Sequence, residues 1–230
     1  MLLSLCLQAA GRHRGLRRYS RRRSRKRRRP NRRCRQHRRQ RAADLGDTES
    51  QLKAGYMYEN GVGVGQDYEK AAEYYRKSAE QGFDQAFYNL GILSIDGHGL
   101  KQSYENGIRY LSQSALMGFD GAYEVLGELY RDGEGVEKDD NKAADFFNKA
   151  AGMENEEAKK SYEDMISDGR IPKDYKPSEP SLEMDPDKLC ELGQEALGKE
   201  DNETAYCCFL CASALGSEKG RNELGNIDLK

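Results

Sequence analysis

Residues 122–151 read AYEVLGELYRDGEGVEKDDNKAADFFNKAA, and their second half sets the architecture. In DNKAADFFNKAA, 140–151, Asp140 is placed to cap a helix, and Ala143, Phe146, Phe147 and Ala150 share one face of it. The first half matches AFYNLGILSID at 86–96, where Ala86, Leu90 and Leu93 keep helical spacing and Asp96–Gly97 marks the stop. Each such stretch therefore reads as two antiparallel helices joined by a glycine-containing turn.

The pattern returns every 36 residues. Gly61 and Gly63 of ENGVGV become Gly97 and Gly99 of IDGHGL, then Gly133 and Gly135 of RDGEGV, and Gly169 persists in SDGRIP. Gly55, Gly91 and Gly127 precede the loops, Tyr74, Tyr110 and Phe146 follow them, and SAEQGFD at 78–84 recurs as SALMGFD at 114–120. A fixed period of this length marks stacked supersecondary units. Small residues at Gly91 and Gly127 let helices approach closely, with Tyr74, Tyr110 and Phe146 expected to fill the space between helix pairs.

The repeat also decides the reading of ENGVGVGQDYEKA at 59–71, three alternating glycines ahead of a helix. Phosphate sites use such loops because free N–H groups and the helix dipole attract an anion. This loop lacks the lysine and the serine or threonine of a P-loop. It also recurs in three copies, with Gly65 replaced by Lys101 and Glu137, so the recurring pair is better explained as a left-handed helix stop.

These units resemble the Sel-1-like repeat, A-x-x-x-L-G-x-x-Y-x-x-G-x-G-V followed by D-x-x-K-A-x-x-Y-Y-x-K-A-A-x-x-G. Residues 122–151 and AGYMYENGVGVGQDYEKAAEYYRKSAEQG at 54–82 carry the pattern nearly throughout; SYENGIRYLSQSA at 103–115 departs by placing Gly107 where the family prefers alanine. The resemblance covers three units over about 50–157, with remnants of a further first helix at 158–169. It implies an all-α, tetratricopeptide-related α-solenoid that serves as an interaction scaffold. The branch of the family that staples each unit with a disulfide is not matched, since the three units contain no cysteine.

The net charge of −1 hides two opposite halves. Residues 1–43 hold 17 Arg, one Lys and no acid, leaving 20 basic against 39 acidic side chains in the rest. The expected organisation is a disordered Arg-rich segment at 1–41, a solenoid at 42–170, a proline- and acid-rich linker at 171–187, and a tetratricopeptide-like helix pair at 188–230. Ala43 and Gly46 find equivalents in Ala79 and Gly82, whereas Arg35, Arg38 and Arg39 stand where Ala71, Tyr74 and Tyr75 belong. The repeat is thus cut in mid-helix, and residues 1–41 read equally as an evolved basic arm and as a misassigned start. No transmembrane segment is evident and MLLSLCLQAAG makes a poor signal peptide, so a cytoplasmic location is the default, subject to a signal lying upstream of such a start.

Two functions follow from different features. One is a non-catalytic scaffold that holds a protein or peptide in the concave groove; the alternative is a nucleic-acid-associated protein using arginines of residues 12–41. If Leu90 and Leu126 face the second helices, positions two before and two after them point into the groove: Leu52 and Tyr56, Tyr88 and Ile92, Glu124 and Glu128. Glu59, Asn60, Ile95, Arg131 and Asp164 stand beside them. Tyr88 and Ile92 read equally well as packing between adjacent first helices.

No catalytic string is present. His98 sits between two turn glycines and is expected to be an exposed loop residue. Neither a cofactor nor a metal is expected: Cys190, Cys207, Cys208 and Cys211 of CELGQEALGKEDNETAYCCFLCASALG include one C-x-x-C pair, Cys208 and Cys211, but no second pair and no nearby histidine completes a zinc set, and they read as buried thiols in a pair anchored by Leu192, Gly193, Ala205, Phe209 and Ala212.

Overall fold

The computed structural model describes residues 43, 46–182 and 184–227, all within one compact unit spanning 31–230. Ten helices follow one another without a strand among the described residues. Three units pair α1 (Thr48–Glu59) with α2 (Tyr68–Glu80), α3 (Asp84–Asp96) with α4 (Tyr104–Leu116), and α5 (Asp120–Asp132) with α6 (Asp140–Ala151). A lone first helix, α7 (Glu156–Ser167), packs on α6. The chain ends in α8 (Pro186–Gly198), α9 (Asn202–Ala214) and the short α10 (Glu218–Leu224).

Local chemistry sets these boundaries. The second helices open on side-chain caps at repeat-equivalent positions: Asp67 accepts from the Lys70 amide, Ser103 from that of Asn106, and Asp139 from those of Asn141 and Lys142. The cap of α6 is therefore Asp139, one residue before the Asp140 expected from sequence, and Asp140 is the first helical residue. First helices α3 and α5 stop at Gly97 and Gly133, whose φ angles of 72° and 75° lie in the left-handed region.

Within each unit the two helices touch where a glycine leaves a notch. A Cβ on Gly55 would lie 2.5 Å from the Tyr75 ring, one on Gly91 2.8 Å from Leu111, and one on Gly127 2.8 Å from the Phe147 ring. The side chains that fill the notches are thus Tyr75, Leu111 and Phe147, each one position after Tyr74, Tyr110 and Phe146, which were expected between helix pairs. One residue turns the helix by about 100°, which carries the preceding side chains away from the notch. Tyr110 and Phe146 are buried there, while Tyr74 stays half-exposed and stacks on Tyr58 at 5.7 Å. The last pair repeats the device, for a Cβ on Gly193 would lie 2.8 Å from the Phe209 ring.

That last pair does not extend the stack. Helix α9 packs on α4 and α2, the second helices of the first two units. Its apolar residues share one core with Leu52, Tyr75, Phe87 and Leu90, whereas Leu111 of α4 joins Leu126, Phe147 and Met165 of α5, α6 and α7 in a second core. Polar groups fix the docking: Arg76 pairs with Glu203, Tyr206 donates to Glu80 at 2.5 Å, and Asn106 Nδ2 donates to Thr204 Oγ1 at 2.9 Å. After its polar first turn, helix α9 is buried on every side from Ala205 to Ala212, and that stretch is correspondingly apolar all round. Cys207, Cys208 and Cys211 are fully buried in it as free thiols, alongside Cys190 of α8. Burial pushes the Cys208 thiol up to about 12.

Residues 172–182 carry the chain back along α6. Asp145, nearly buried on α6, accepts from the Tyr175 hydroxyl at 2.8 Å and from the Ser178 amide and hydroxyl at 2.9 and 2.6 Å, while Lys149 pairs with Glu179 at 2.9 Å. Burial and the Asp145 contact push the Tyr175 hydroxyl up to about 12. The segment read as a linker is thus strapped to the repeats. Asp145→Ala should cost about 2–3 kcal/mol, since a buried carboxylate accepting several hydrogen bonds leaves their donors unmet when it is removed. Urea unfolding, with proteolysis of the strap, measures this.

Candidate functional site

The C-terminal helices cover the face made by second helices α2 and α4, and the face made by first helices α1, α3 and α5 is where the sequence placed its groove. Its candidates do not all reach the surface. Leu52 is only 9% exposed and joins the first core, an apolar side chain gaining more from burial than from water. Ile95 is half-buried and turned into its own unit: a Cβ on Gly107 would lie 2.5 Å from its Cγ1. Gly107, the departure from the family pattern, makes the room that Ile95 takes. Ile92 is half-buried against the second core.

Other candidates remain accessible. Tyr56 is 57% exposed, and Asn60, also exposed, donates from its amide to the Tyr56 carbonyl at 3.1 Å. Tyr88 is half-buried with its ring 5.0 Å from that of Phe119, so it packs beside the start of α5 and stays partly accessible. Glu59 accepts from the buried Tyr75 hydroxyl at 2.5 Å. Asp164 is exposed on α7.

The third unit supplies a line of acids. Asp120, Glu124 and Glu128 stand one helical turn apart on α5, and the buried Asn155 amide donates to Asp120 at 3.1 Å and Glu124 at 2.9 Å. Asp120, Phe119 and Asn155 are members of this face that sequence reasoning missed. Asn155 was detectable as a cap residue ahead of the acidic start of α7, whose Ala158 amide it binds. Burial pushes the Glu128 carboxyl up, aided by Glu124 and opposed by Arg131. Burial pushes the Tyr88 hydroxyl up too, and Glu124, Glu128, Glu59 and Asp120 add to it, so acids from α1 and α5 converge on a ring from α3. Arg131 forks onto Asp132 at 2.9 and 2.7 Å and lies 5.8 Å over the Phe147 ring, held within its own unit.

Two other places are accounted for internally. A cavity of about 380 Å³ lies between α4, α5, α6 and the strap, but its Asp145 is taken up by Tyr175 and Ser178 and its Lys142 lies over Tyr130. His98 is exposed, as expected for a turn, and stacks at 4.4 Å on Tyr68 of the preceding unit. Among the described residues no group of three or more His, Cys, Asp or Glu is placed to hold a metal ion, and no helix is long and apolar enough to cross a membrane. The arginines of residues 12–41, on which a nucleic-acid role depends, lie outside the described residues.

The family model described as Sel1 repeat matches residues 48–83, 85–119 and 122–155, close to the bounds of the three helix pairs. Among solved structures, a Sel1 repeat protein from Oxalobacter formigenes is 33% identical, over 56% of this chain and 96% of its own, with a TM-score of 0.49. The chain is also similar to c5321, a protective antigen present in uropathogenic Escherichia coli strains and displaying an SLR fold. Identity there is 25% and the TM-score 0.54, covering 82% of this chain and 42% of that one. No curated protein matches the chain.

Proposed function

Because the chain belongs to the Sel1 repeat family, we propose that it is a non-catalytic scaffold that receives a protein or peptide on the face of its first helices. Proteins built from these repeats are generally protein-interaction scaffolds. The observation that carries the reading is the asymmetry of the two faces. The chain's own C-terminal helices cover the second-helix side, while Tyr56 stands 57% exposed on the other, a large aromatic with polar neighbours. Partly exposed aromatics rimmed by polar groups are typical anchors, and a few such residues dominate affinity.

A photo-crosslinking side chain at position 56 should capture a protein partner in cells, and the same group at exposed position 191 on α8 should not. Capture only from position 191 would move the working surface to the C-terminal helices. Tyr56→Ala should weaken the captured complex by roughly 1–2 kcal/mol with little change in melting temperature, since its ring is already largely in water.

A further inference from the structure

We propose that the partner segment is basic, with arginine or lysine side chains placed among Glu59, Asp120, Glu124 and Glu128 and over the rings of Tyr56 and Tyr88. This rests on the reading of the first-helix face as the docking surface and adds the chemistry of the occupant.

Geometry and charge carry it together. Asp120, Glu124 and Glu128 repeat at four-residue spacing, so their carboxylates stand one above another on α5, and like charges so spaced oppose the helix that bears them. None of the three, nor Glu59, has a lysine or arginine within ion-pair distance among the described residues. Arg131, which acts on Glu128, is already forked onto Asp132. The Asn155 amide, shared between Asp120 and Glu124, is neutral and leaves both charges in place. The fold therefore holds a row of carboxylates beside aromatic rings without neutralising it. A cation from outside relieves the repulsion, and a guanidinium or ammonium over an aromatic face gains a second attraction. The same row repels a phosphorylated or acidic ligand.

The test uses the full chain and two fluorescein-labelled, photoactivatable peptides of equal length, one alternating arginine with alanine and one alternating glutamine with alanine. The arginine peptide should bind, and mass spectrometry should place its crosslinks on α1, α3 and α5. E124Q/E128Q should weaken it about fivefold to tenfold at low salt and less at higher salt, because exposed charge pairs are individually small and screened. The control E69Q/E191Q, on exposed carboxylates outside this face, should change affinity less than twofold. Melting of E124Q/E128Q should be unchanged or higher, which separates a binding role from a structural one. Equal binding of both peptides on the first helices, indifferent to E124Q/E128Q, overturns the basic occupant and leaves the docking face standing. Crosslinks confined to α8, α9 or α10 overturn both.

Discussion

Gly99→Val should destabilise the protein by about 3 kcal/mol or more, against about 1–2 kcal/mol for Gly97→Val. Both residues sit in the left-handed region, at φ 68° and 72°, which strains a β-branched side chain by itself. Their surroundings differ. A Cβ on Gly97 would meet Gln102 of its own turn, the Cβ at 3.0 Å and the Cα at 3.6 Å, a tight contact that a small shift of the loop relieves. A Cβ on Gly99 would lie 2.3 Å from the Tyr68 carbonyl carbon and oxygen, backbone at the start of α2 in the preceding unit, and nothing there can yield without moving a helix. Such overpacking costs typically about 1–3 kcal/mol beyond the conformational strain. Gly135 repeats the contact one unit on, where a Cβ would lie 2.2 Å from Tyr104 Cβ. Urea midpoints of the two variants decide the matter: an equal loss from both would mean that the second glycine serves only the turn.

The two glycines show how far the sequence could be read. The first of each pair is legible because its role is local, ending the helix just before it. The second is not, because its partner lies 31 residues away, Tyr68 for Gly99 and Tyr104 for Gly135, and nothing in a turn motif names what it touches. The candidate site divides in the same way. Tyr56 and the line of Glu124 and Glu128 follow from the repeat, whereas the loss of Ile95 to the interior depends on Gly107 of the neighbouring helix, and that of Leu52 on a core assembled from both ends of the chain. Helix α9 posed the hardest case. The composition of Ala205–Ala212 requires enclosure, but a stretch with no polar face carries no mark of which side meets which neighbour, so its docking on α2 and α4 was not readable.

That docking has a measurable consequence at Phe209. The side chain is fully buried, and its ring fills the notch at Gly193 between α8 and α9. Phe209→Ala should cost about 3–5 kcal/mol, the usual price of emptying so large a core site. The loss should not spread evenly. Phe209 belongs to the core that includes Tyr75, Phe87 and Leu90, while Leu111, Leu126, Phe147 and Met165 form the other. Hydrogen exchange in Phe209→Ala should therefore accelerate in α1 to α4 and in α8 to α10 more than in α5 to α7, as nearest-neighbour coupling in a repeat protein requires. The thiols give an independent reading. Burial pushes Cys207 and Cys208 above the ordinary thiol range, and the thiolate is the reacting form. At pH 8 Cys190, Cys207, Cys208 and Cys211 should react with a thiol reagent only through opening of the terminal helices. Mass-spectrometric mapping should find all four labelled faster in Phe209→Ala, by a factor set by the stability lost. Unchanged labelling together with uniform loss of exchange protection in every helix would show that the terminal pair is not an opening unit on the second-helix face, but part of a single cooperative core with the repeats.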